Sequence, residues 1–373
     1  MPYPYYPNPG GRPAQNPIVD LPDPWDGRVL DPKQRELELD RYHPDPELVH
    51  AVNSALVMRR PLLLTGEAGT GKTRLAEHLA WQLGLKEALK FETKSASNSR
   101  DLFYLYDAVG HFRAVQMDIK EGAGGDPLEY FSLNPLGLAI LLSQEKATLA
   151  ARPKLCELLQ RALEQRQLPA HDGPRLSVVL IDEIDKAPRD FPNDLLNEID
   201  EMYFRIPELV REIGPLPVTA NLAMRPVVVI TSNSEKHLPE PFLRRCVYYN
   251  IAFPEKAQMG KILTAYAKDF NLPDNMLTDA LNLFYALRRG RLRKKPSTAE
   301  LIGWLHLLRM SFDKEINNPD HAFHRAERPL FDSINKTVQT LSALVKVRED
   351  RDDAKDAIER WKQGAAETGN GDA

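Results

Sequence analysis

Cysteine is scarce in this sequence, since its 373 residues include two, Cys156 and Cys246, at no paired spacing. This scarcity argues against a disulfide framework or a cysteine-rich zinc site, and it favours a reducing compartment. The histidines show no i, i+4 pair beside acids, which disfavours a zinc-hydrolase motif. Neither a Ser/His/Asp arrangement nor a glycine-rich dinucleotide fingerprint is recognisable.

Long apolar runs and an excess of positive charge are also missing. No apolar run approaches the roughly 20 residues that a membrane-spanning helix needs, so we expect no membrane span. The N-terminal MPYPYYPNPGGRP lacks the apolar core of a signal peptide, and we therefore expect a cytoplasmic protein. The net charge is −4, so no overall basic field indicates nucleic acid or an anionic membrane as a partner.

Proline is concentrated at the N-terminus, where residues 1–30 hold 8 of the 30 prolines together with Tyr3, Tyr5 and Tyr6. Proline removes backbone donors and fixes φ, so residues 1–40 are predicted to be an extended arm. Two alternatives remain for it, a disordered tail or a strap across a neighbouring subunit with the tyrosines as anchors.

Strand and helix patterns alternate between residues 41 and 253, which we predict to form one α/β core. ELVHAVNSALVMR has helical apolar spacing, and residues 72–83 form a second predicted helix. Such alternation predicts a mainly parallel sheet with helices on both faces. The apolar runs predict strands at 61–64, 90–93, 177–183, 225–233 and 247–253.

Strand patterns stop after Pro254. Three helical stretches follow, so residues 254–312 are predicted to be a small all-helical domain. Residues 313–373 are predicted to be a C-terminal extension with one or two more helices and a frayed tail.

The motif TGEAGTGKT at residues 65–73 fits the pattern G-x-x-x-x-G-K-[ST] of a phosphate-binding loop. It lies between a predicted strand and a predicted helix, where backbone amides and the helix N-terminus can surround phosphates. We expect Lys72 to contact the β- and γ-phosphates and the Thr73 hydroxyl to bind Mg²⁺. The predicted nucleotide-binding residues are Gly66, Glu67, Ala68, Gly69, Thr70, Gly71, Lys72 and Thr73.

Polar residues at the ends of two later strands complete this chemistry. Asp182 ends an apolar strand and is placed to bind Mg²⁺, and Glu183 follows it as the candidate base for the attacking water. Asn233 ends the next run, where its amide either orients that water or belongs to a simple turn. Arg244 and Arg245 are either solvated surface residues, or one of them is an arginine finger that contacts the nucleotide of a neighbouring subunit.

These motifs together resemble the AAA+ ATPases and, within them, the MoxR-like group. The resemblance rests on GEAGTGKT, LIDEIDKAP, DLLNEIDE, VVVITSN, LPEPFLRRC and PSTAEL, and it covers residues 40–312. It implies a three-layer αβα core with a five-stranded parallel sheet, a helical lid, and a homo-oligomeric ring, usually hexameric, with ATP between neighbours. On this pattern Asp182 and Glu183 form Walker B, Asn233 is sensor 1, and Arg245 matches the arginine finger, with Arg244 where an acid is usual.

The sequence departs from that pattern in two places. The stretch from Gly66 to Glu183 is long for this core, which indicates inserts near 95–135 and 144–175. Within the first insert, His111 and Phe112 are candidates for a substrate-touching loop, or else members of a packed hairpin.

The second departure concerns the lid, where the usual sensor-2 arginine position falls near Thr298. The basic run RRGRLRKK precedes this position, and three alternatives remain for it. It is a solvated helix end, a surface that binds nucleic acid, or the source of a residue that replaces the sensor-2 arginine. In the last case the candidates are Arg291, Arg293, Lys294 and Lys295.

The function that the resemblance implies is an Mg²⁺-dependent, ATP-hydrolysing ring that remodels or assembles client proteins in the manner of a chaperone. MoxR-like relatives typically work with von Willebrand factor A-domain partners, and we expect such a partner as a separate protein. Two alternatives stay open, a nucleic-acid motor or loader and an ATP-dependent oligomeric switch in defence or signalling.

Overall fold

A computed structural model gives the structure of residue 42 and of residues 44–121, 126–234 and 238–368. The predicted arm at residues 1–40 lies outside these described residues. The chain divides into two compact units, a larger one that ends at Ile251 and a smaller one that begins at Ala252 and also includes Ala68–Thr70. In the described part of the chain, no helix has both the length and the apolar character needed to cross a membrane.

The larger unit is organised around a parallel β-sheet. Its strands in chain order are β1 (Leu62–Thr65), β2 (Leu89–Glu92), β3 (Tyr104–Tyr106), β4 (Phe131–Leu133), β5 (Val178–Asp182), β6 (Tyr203–Phe204), β7 (Val218–Thr219), β8 (Val227–Thr231) and β9 (Val247–Asn250). Five of them form one sheet in the order β2-β5-β8-β1-β9, and every pair in it is parallel. The prediction of a five-stranded parallel sheet is confirmed, with each strand inside or within one residue of its apolar run.

Helices of the larger unit connect these strands, and the described part of the smaller unit contains helices and no strand. Those of the larger unit are α1 (Pro46–Met58), α2 (Lys72–Gln82), α3 (Ala108–Glu121), α4 (Pro135–Leu142), α5 (Lys146–Ala150), α6 (Pro153–Gln165), α7 (Phe191–Asp194), α8 (Leu196–Glu201), α9 (Val210–Ile213) and α10 (Glu240–Leu243). Those of the smaller unit are α11 (Lys256–Phe270), α12 (Asp274–Arg289), α13 (Thr298–Ser311), α14 (Asp313–Ile316), α15 (Pro329–Asp332), α16 (Ile334–Thr340) and α17 (Asp350–Thr368).

Both faces of the sheet are covered, because neighbouring side chains of the central strands β1, β5 and β8 enter two different hydrophobic clusters. Leu63 of β1 packs in one cluster with Leu138 of α4. Leu62 and Leu64 pack in the other cluster with Leu75 of α2. Strands buried on both faces read as continuous apolar runs, which is why they could be recognised in the sequence. The predicted three-layer αβα arrangement is therefore confirmed.

Extra elements lie between β2 and β5, where the inserts were predicted. β3 and β4 pair antiparallel, and the chain between them includes α3. α4 is buried along its whole length, and a Cβ at Gly137 would overlap the carbonyl oxygen of Phe103. Glycine is therefore required for this close approach. α5 and α6 occupy the second predicted insert. Their residues Leu149 and Leu158 are buried in the hydrophobic cluster that also contains Leu63 and Leu138.

The smaller unit has one hydrophobic core. Residues from the predicted lid, such as Trp304 of α13, and from the predicted extension, such as Trp361 of α17, belong to the same cluster. The indole nitrogen of Trp304 donates to the Thr340 hydroxyl at 2.8 Å, which joins α13 to α16. Ser297 and Glu300 form a capping box that starts α13.

Candidate functional site

The loop between β1 and α2 has a backbone that glycine makes possible. Gly69 has φ of 79° and Gly71 has φ of 90°, values that residues with a Cβ rarely adopt. α2 begins directly after this turn, so the backbone amides of its first turn and its positive dipole end face the loop. This is the arrangement that binds a phosphate group.

Lys72 is 7% exposed and its ammonium group is held at this loop. Its Nζ donates to the carbonyl oxygens of Gly66 and Glu67, each at 2.8 Å. Burial lowers the pKa of Lys72, while nearby carboxylates, led by Asp185 and Asp182, oppose that shift. The Lys72 amino group therefore lies next to the amides of the loop, where both would contact a bound anion.

The ends of β5 and β8 bring hydroxyl and carboxylate groups together beside Lys72. The Thr73 hydroxyl donates to Asp182 Oδ1 at 3.0 Å, and the Thr231 hydroxyl donates to the same oxygen at 2.6 Å. The Thr231 oxygen also accepts the backbone amide of Glu183 at 2.9 Å. Thr231 is completely buried and was not among the predicted site residues.

Lys90 of β2 is a second group that the sequence did not reveal. Its Nζ lies 3.1 Å from Asp182 Oδ2 and 2.7 Å from Glu92 Oε1. Burial raises the pKa of the Asp182 carboxyl, but hydrogen bonds from Thr231, Lys90 and Thr73 outweigh burial and hold that pKa below its ordinary value. Asp182 is therefore a carboxylate at neutral pH.

Glu183 and Asn233 follow these two strands, as predicted from their positions in the sequence. Glu183 has φ of 55° and ψ of 52°, a left-handed conformation uncommon for a residue with a side chain, and its carboxylate pairs with Lys186. The backbone amide of Asn233 donates to Asp185 Oδ1 at 3.2 Å, which fixes the exposed turn that carries its side chain. Strain at a non-glycine residue is a common feature of catalytic positions.

The two candidate finger residues lie at the end of α10. The Arg244 side chain is 76% exposed and pairs with Glu240 one turn earlier. The Arg245 side chain is 40% exposed, and its Nε lies 3.7 Å from Asp200 Oδ2. Both guanidinium groups are therefore open to the surface of the larger unit.

The basic run at residues 288–295 is partly structural. Arg288 is buried, its guanidinium lies 3.3 Å from the centre of the Phe253 ring, and Nη1 donates to the Pro296 carbonyl at 2.5 Å. The Asp350 carboxylate, itself 1% exposed, accepts the backbone amides of Arg293 and Lys294 at 3.0 Å each. The four candidate sensor-2 side chains, Arg291, Arg293, Lys294 and Lys295, are exposed.

His111 and Phe112 occupy different environments on α3. His111 belongs to the packed hairpin, since its Nδ1 is 2.6 Å from the Tyr106 hydroxyl and its ring stacks on Tyr130 at 5.0 Å. Phe112 is 61% exposed, and Val109, one turn before it on the same helix, is 59% exposed. The two candidates therefore separate into a packed residue and an exposed one.

The oxygen atoms at the Thr73–Asp182 pair suit a divalent cation. Mg²⁺ prefers oxygen ligands and commonly takes one or two protein ligands together with water and phosphate. No group of three or more His, Cys, Asp or Glu residues suited to a metal occurs within the described ranges. A metal here would thus complete its coordination with water or phosphate oxygens, and the adjacent loop suits a phosphate.

Comparison with known proteins places this site in a family. Residues 61–246 match the model of the AAA domain, dynein-related subfamily. No curated protein matches the chain. Two mutant forms of RuvB from Thermotoga maritima are similar solved structures. One has 15% identity and a TM-score of 0.44 over 82% of this chain and 71% of that chain. The other has 16% identity and a TM-score of 0.43 over 85% and 75%. Residues 61–246 are therefore an AAA+ ATPase domain.

Proposed function

We propose that this protein hydrolyses ATP with Mg²⁺ and works as a MoxR-like homo-oligomeric ring, of six subunits, that remodels or assembles client proteins. The observation that carries the proposal is the meeting of Thr73, Asp182 and Glu183 beside the ammonium group of Lys72. A phosphate loop alone would serve many kinds of protein, whereas an acid after the metal-binding carboxylate favours hydrolysis.

The residues of the chain would divide the work of hydrolysis among them. The loop amides and Lys72 would bind the β- and γ-phosphates, and Thr73 with Asp182 would hold Mg²⁺. The metal, when bound, would neutralise charge on those phosphates. Glu183 would take a proton from the attacking water, and the Asn233 amide would orient that water.

The ring would complete each site from a neighbouring subunit. An arginine presented to the γ-phosphate stabilises the charge of the transition state, and its guanidinium must therefore be at the surface. The exposure of Arg244 and Arg245 at the end of α10 meets that requirement. Arg245 is our candidate finger because it matches the family's finger arginine.

A client protein would bind through the insert. Val109, Phe112 and Val115 are spaced three residues apart on α3, and all three are exposed, by 59%, 61% and 37%. Three apolar side chains at this spacing form an exposed stripe on the helix, and such patches often mark protein-binding surfaces. A von Willebrand factor A-domain protein as the partner is proposed from the MoxR-like sequence pattern.

Hydrolysis is tested with Lys72→Ala and Glu183→Gln in a phosphate-release assay. Both variants are expected to lower turnover by about 100-fold or more, because one loses phosphate contacts and the other loses the base. Glu212→Gln removes the same charge from an exposed position on α9 and should keep wild-type turnover. Wild-type hydrolysis in both site variants would refute the proposal.

The client is tested by capture with Glu183→Gln, which is expected to bind ATP without hydrolysing it. Proteins retained with ATP, but released with ADP, would be identified by mass spectrometry. Retention of nucleic acid in place of protein, with a steep dependence on salt, would refute the chaperone-like role and support a motor or loader.

A further inference from the structure

The smaller unit contains a cleft of about 630 Å³ between α12 and α17. This volume lies within the ~300–1,000 Å³ that is usual for small-molecule sites. Arg289 comes from the end of α12, Arg360 and Trp361 come from α17, and Arg328 comes from the segment before α15. The described residues that line the cleft all follow Ala252, and none of them comes from the phosphate loop at residues 66–73.

Arg328 is fixed along one side of its guanidinium group. Its Nε lies 3.4 Å from Oδ1 of Asp279, a carboxylate that is 1% exposed, and its Nη2 donates to the Trp361 carbonyl at 3.4 Å. The guanidinium carbon also lies 4.3 Å from the centre of the Trp361 ring and 4.7 Å from that of Phe331. The remaining nitrogen, Nη1, is buried and has no hydrogen-bond partner.

Trp361 presents a second donor of the same kind. The residue is 8% exposed, and its indole Nε1 is buried with no hydrogen-bond partner. Buried donors in proteins are nearly always paired, because leaving one unpaired loses its hydrogen bonds to water. Both donors belong to residues that touch each other and line the cleft, and an acceptor bound in the cleft could pair with them.

The charge around the cleft indicates what that acceptor is. Arg289 and Arg360 are exposed at the cleft, and Glu327 is the one acid among the described residues that line it. Guanidinium groups match the planar, paired oxygens of carboxylate and phosphate groups. We propose that the cleft binds a small organic anion carrying a phosphate or carboxylate group, with Arg328 and Trp361 as buried donors and Arg289 and Arg360 as charge partners.

This site is tested by NMR of the indole N–H groups, because the chain has four tryptophans and therefore few such signals. Pyrophosphate and citrate serve as phosphate and carboxylate probes, and Trp361→Phe assigns the Trp361 signal. All titrations use the full chain with Lys72→Ala, so that binding at the phosphate loop is weakened. We expect at least one probe to shift the Trp361 signal in a saturable way while the Trp304 signal stays in place.

The arginines are then tested through exposed positions whose substitution should not disturb folding. Arg289→Gln and Arg360→Gln should each weaken probe binding by about tenfold, the effect of one lost charge-assisted contact. Arg351→Gln is the matched control, since Arg351 is exposed on α17 far around the helix from Arg360, and it should bind as before. A Trp361 signal that neither probe moves, or equal affinity in all three variants, would overturn the proposal.

Discussion

The ammonium group of Lys90 lies 3.1 Å from a carboxylate oxygen of Asp182, the residue that we propose as a ligand of Mg²⁺. The two residues come from neighbouring parallel strands, because β2 pairs with β5 and places Glu92 opposite Asp182. Lys90 is two residues before Glu92 and therefore points to the same side of the sheet. The negative charge of Asp182 is thus balanced by Lys90, a cation of the same unit.

Lys90 is expected to compete with Mg²⁺ for Asp182. Lys90→Met should therefore lower the Mg²⁺ concentration that gives half-maximal ATP hydrolysis. A partly exposed ion pair contributes up to about 1 kcal/mol, so the decrease should be at most about fivefold. The measurement is a magnesium titration of phosphate release at saturating ATP.

Two variants control this result. Lys90→Arg keeps the charge and should retain the wild-type magnesium dependence. Lys94→Met removes a lysine from an exposed position just after β2 and should have no effect. A higher magnesium requirement in Lys90→Met would mean that Lys90 helps to build the metal site and does not compete for it.

Thr231 is expected to position both acids, since its hydroxyl donates to Asp182 and accepts the amide of Glu183. Thr231→Val has nearly the same shape but leaves that amide without its acceptor. The free energy of unfolding of Thr231→Val should be lower than that of the wild type by about 1–3 kcal/mol, the usual cost of an unpaired buried group. Turnover should fall while ATP affinity stays near wild type, because the phosphate loop is unchanged.

Thr231→Ser distinguishes positioning from general destabilisation. Serine keeps the hydroxyl and loses a buried methyl group, so some stability should be lost while turnover recovers. If Thr231→Val, which keeps the methyl group, retained wild-type turnover while Thr231→Ser lost it, packing of the methyl group would explain the effect and the positioning role would be wrong.

Motifs that are local in the chain could be predicted from the sequence. The loop at residues 66–73 and the strand before it are contiguous, and a strand buried on both faces is a run of apolar residues. Asp182, Glu183 and Asn233 could be found because each follows such a run. The fold class and the positions of the central strands β1, β5 and β8 were accessible for the same reason.

Contacts between distant segments could not be predicted in this way. Lys90 and Thr231 reach Asp182 only because β2 and β8 lie on either side of β5, and strand order is not written in the spacing of residues. One local signal for Lys90 exists, since Lys90 and Glu92 alternate with buried residues on β2. The separation of His111 from Phe112 likewise depends on the aromatic residues Tyr106 and Tyr130, which hold only the histidine.

The exposed stripe of α3 should be required for client retention. Phe112→Ser, made in the Glu183→Gln background, is expected to reduce the amount of captured client by about tenfold, as for a large apolar contact at a protein interface. Met310→Ser is the matched control, because Met310 is 77% exposed on α13. Equal capture by Phe112→Ser and Met310→Ser would exclude the stripe as the client surface.

Arg245 is expected to act on the nucleotide of a neighbouring subunit. Arg245→Ala should lower turnover strongly with little loss of ATP binding, because the finger acts in the transition state. Arg244→Ala should be milder, since Arg244 pairs with Glu240 within its own helical turn. If Arg244→Ala were instead the more severe variant, the finger assignment would pass from Arg245 to Arg244.

Mixing subunits separates an action in trans from an action in cis. Lys72→Ala subunits have an intact Arg245, and Arg245→Ala subunits have an intact phosphate loop, so each variant alone should be nearly inactive. In an equal, randomly assembled mixture, about a quarter of the interfaces would pair an intact loop with an intact arginine. Phosphate release should therefore rise well above that of either variant, towards about a quarter of the wild-type rate.

The control is a test of subunit exchange, because variants that stay in separate rings would show no rise whatever the role of Arg245. The two variants must therefore be refolded together, and the exchange of subunits must be verified with a labelled subunit. Once exchange is verified, an absence of recovery would show that Arg245 does not complete a site on its neighbour.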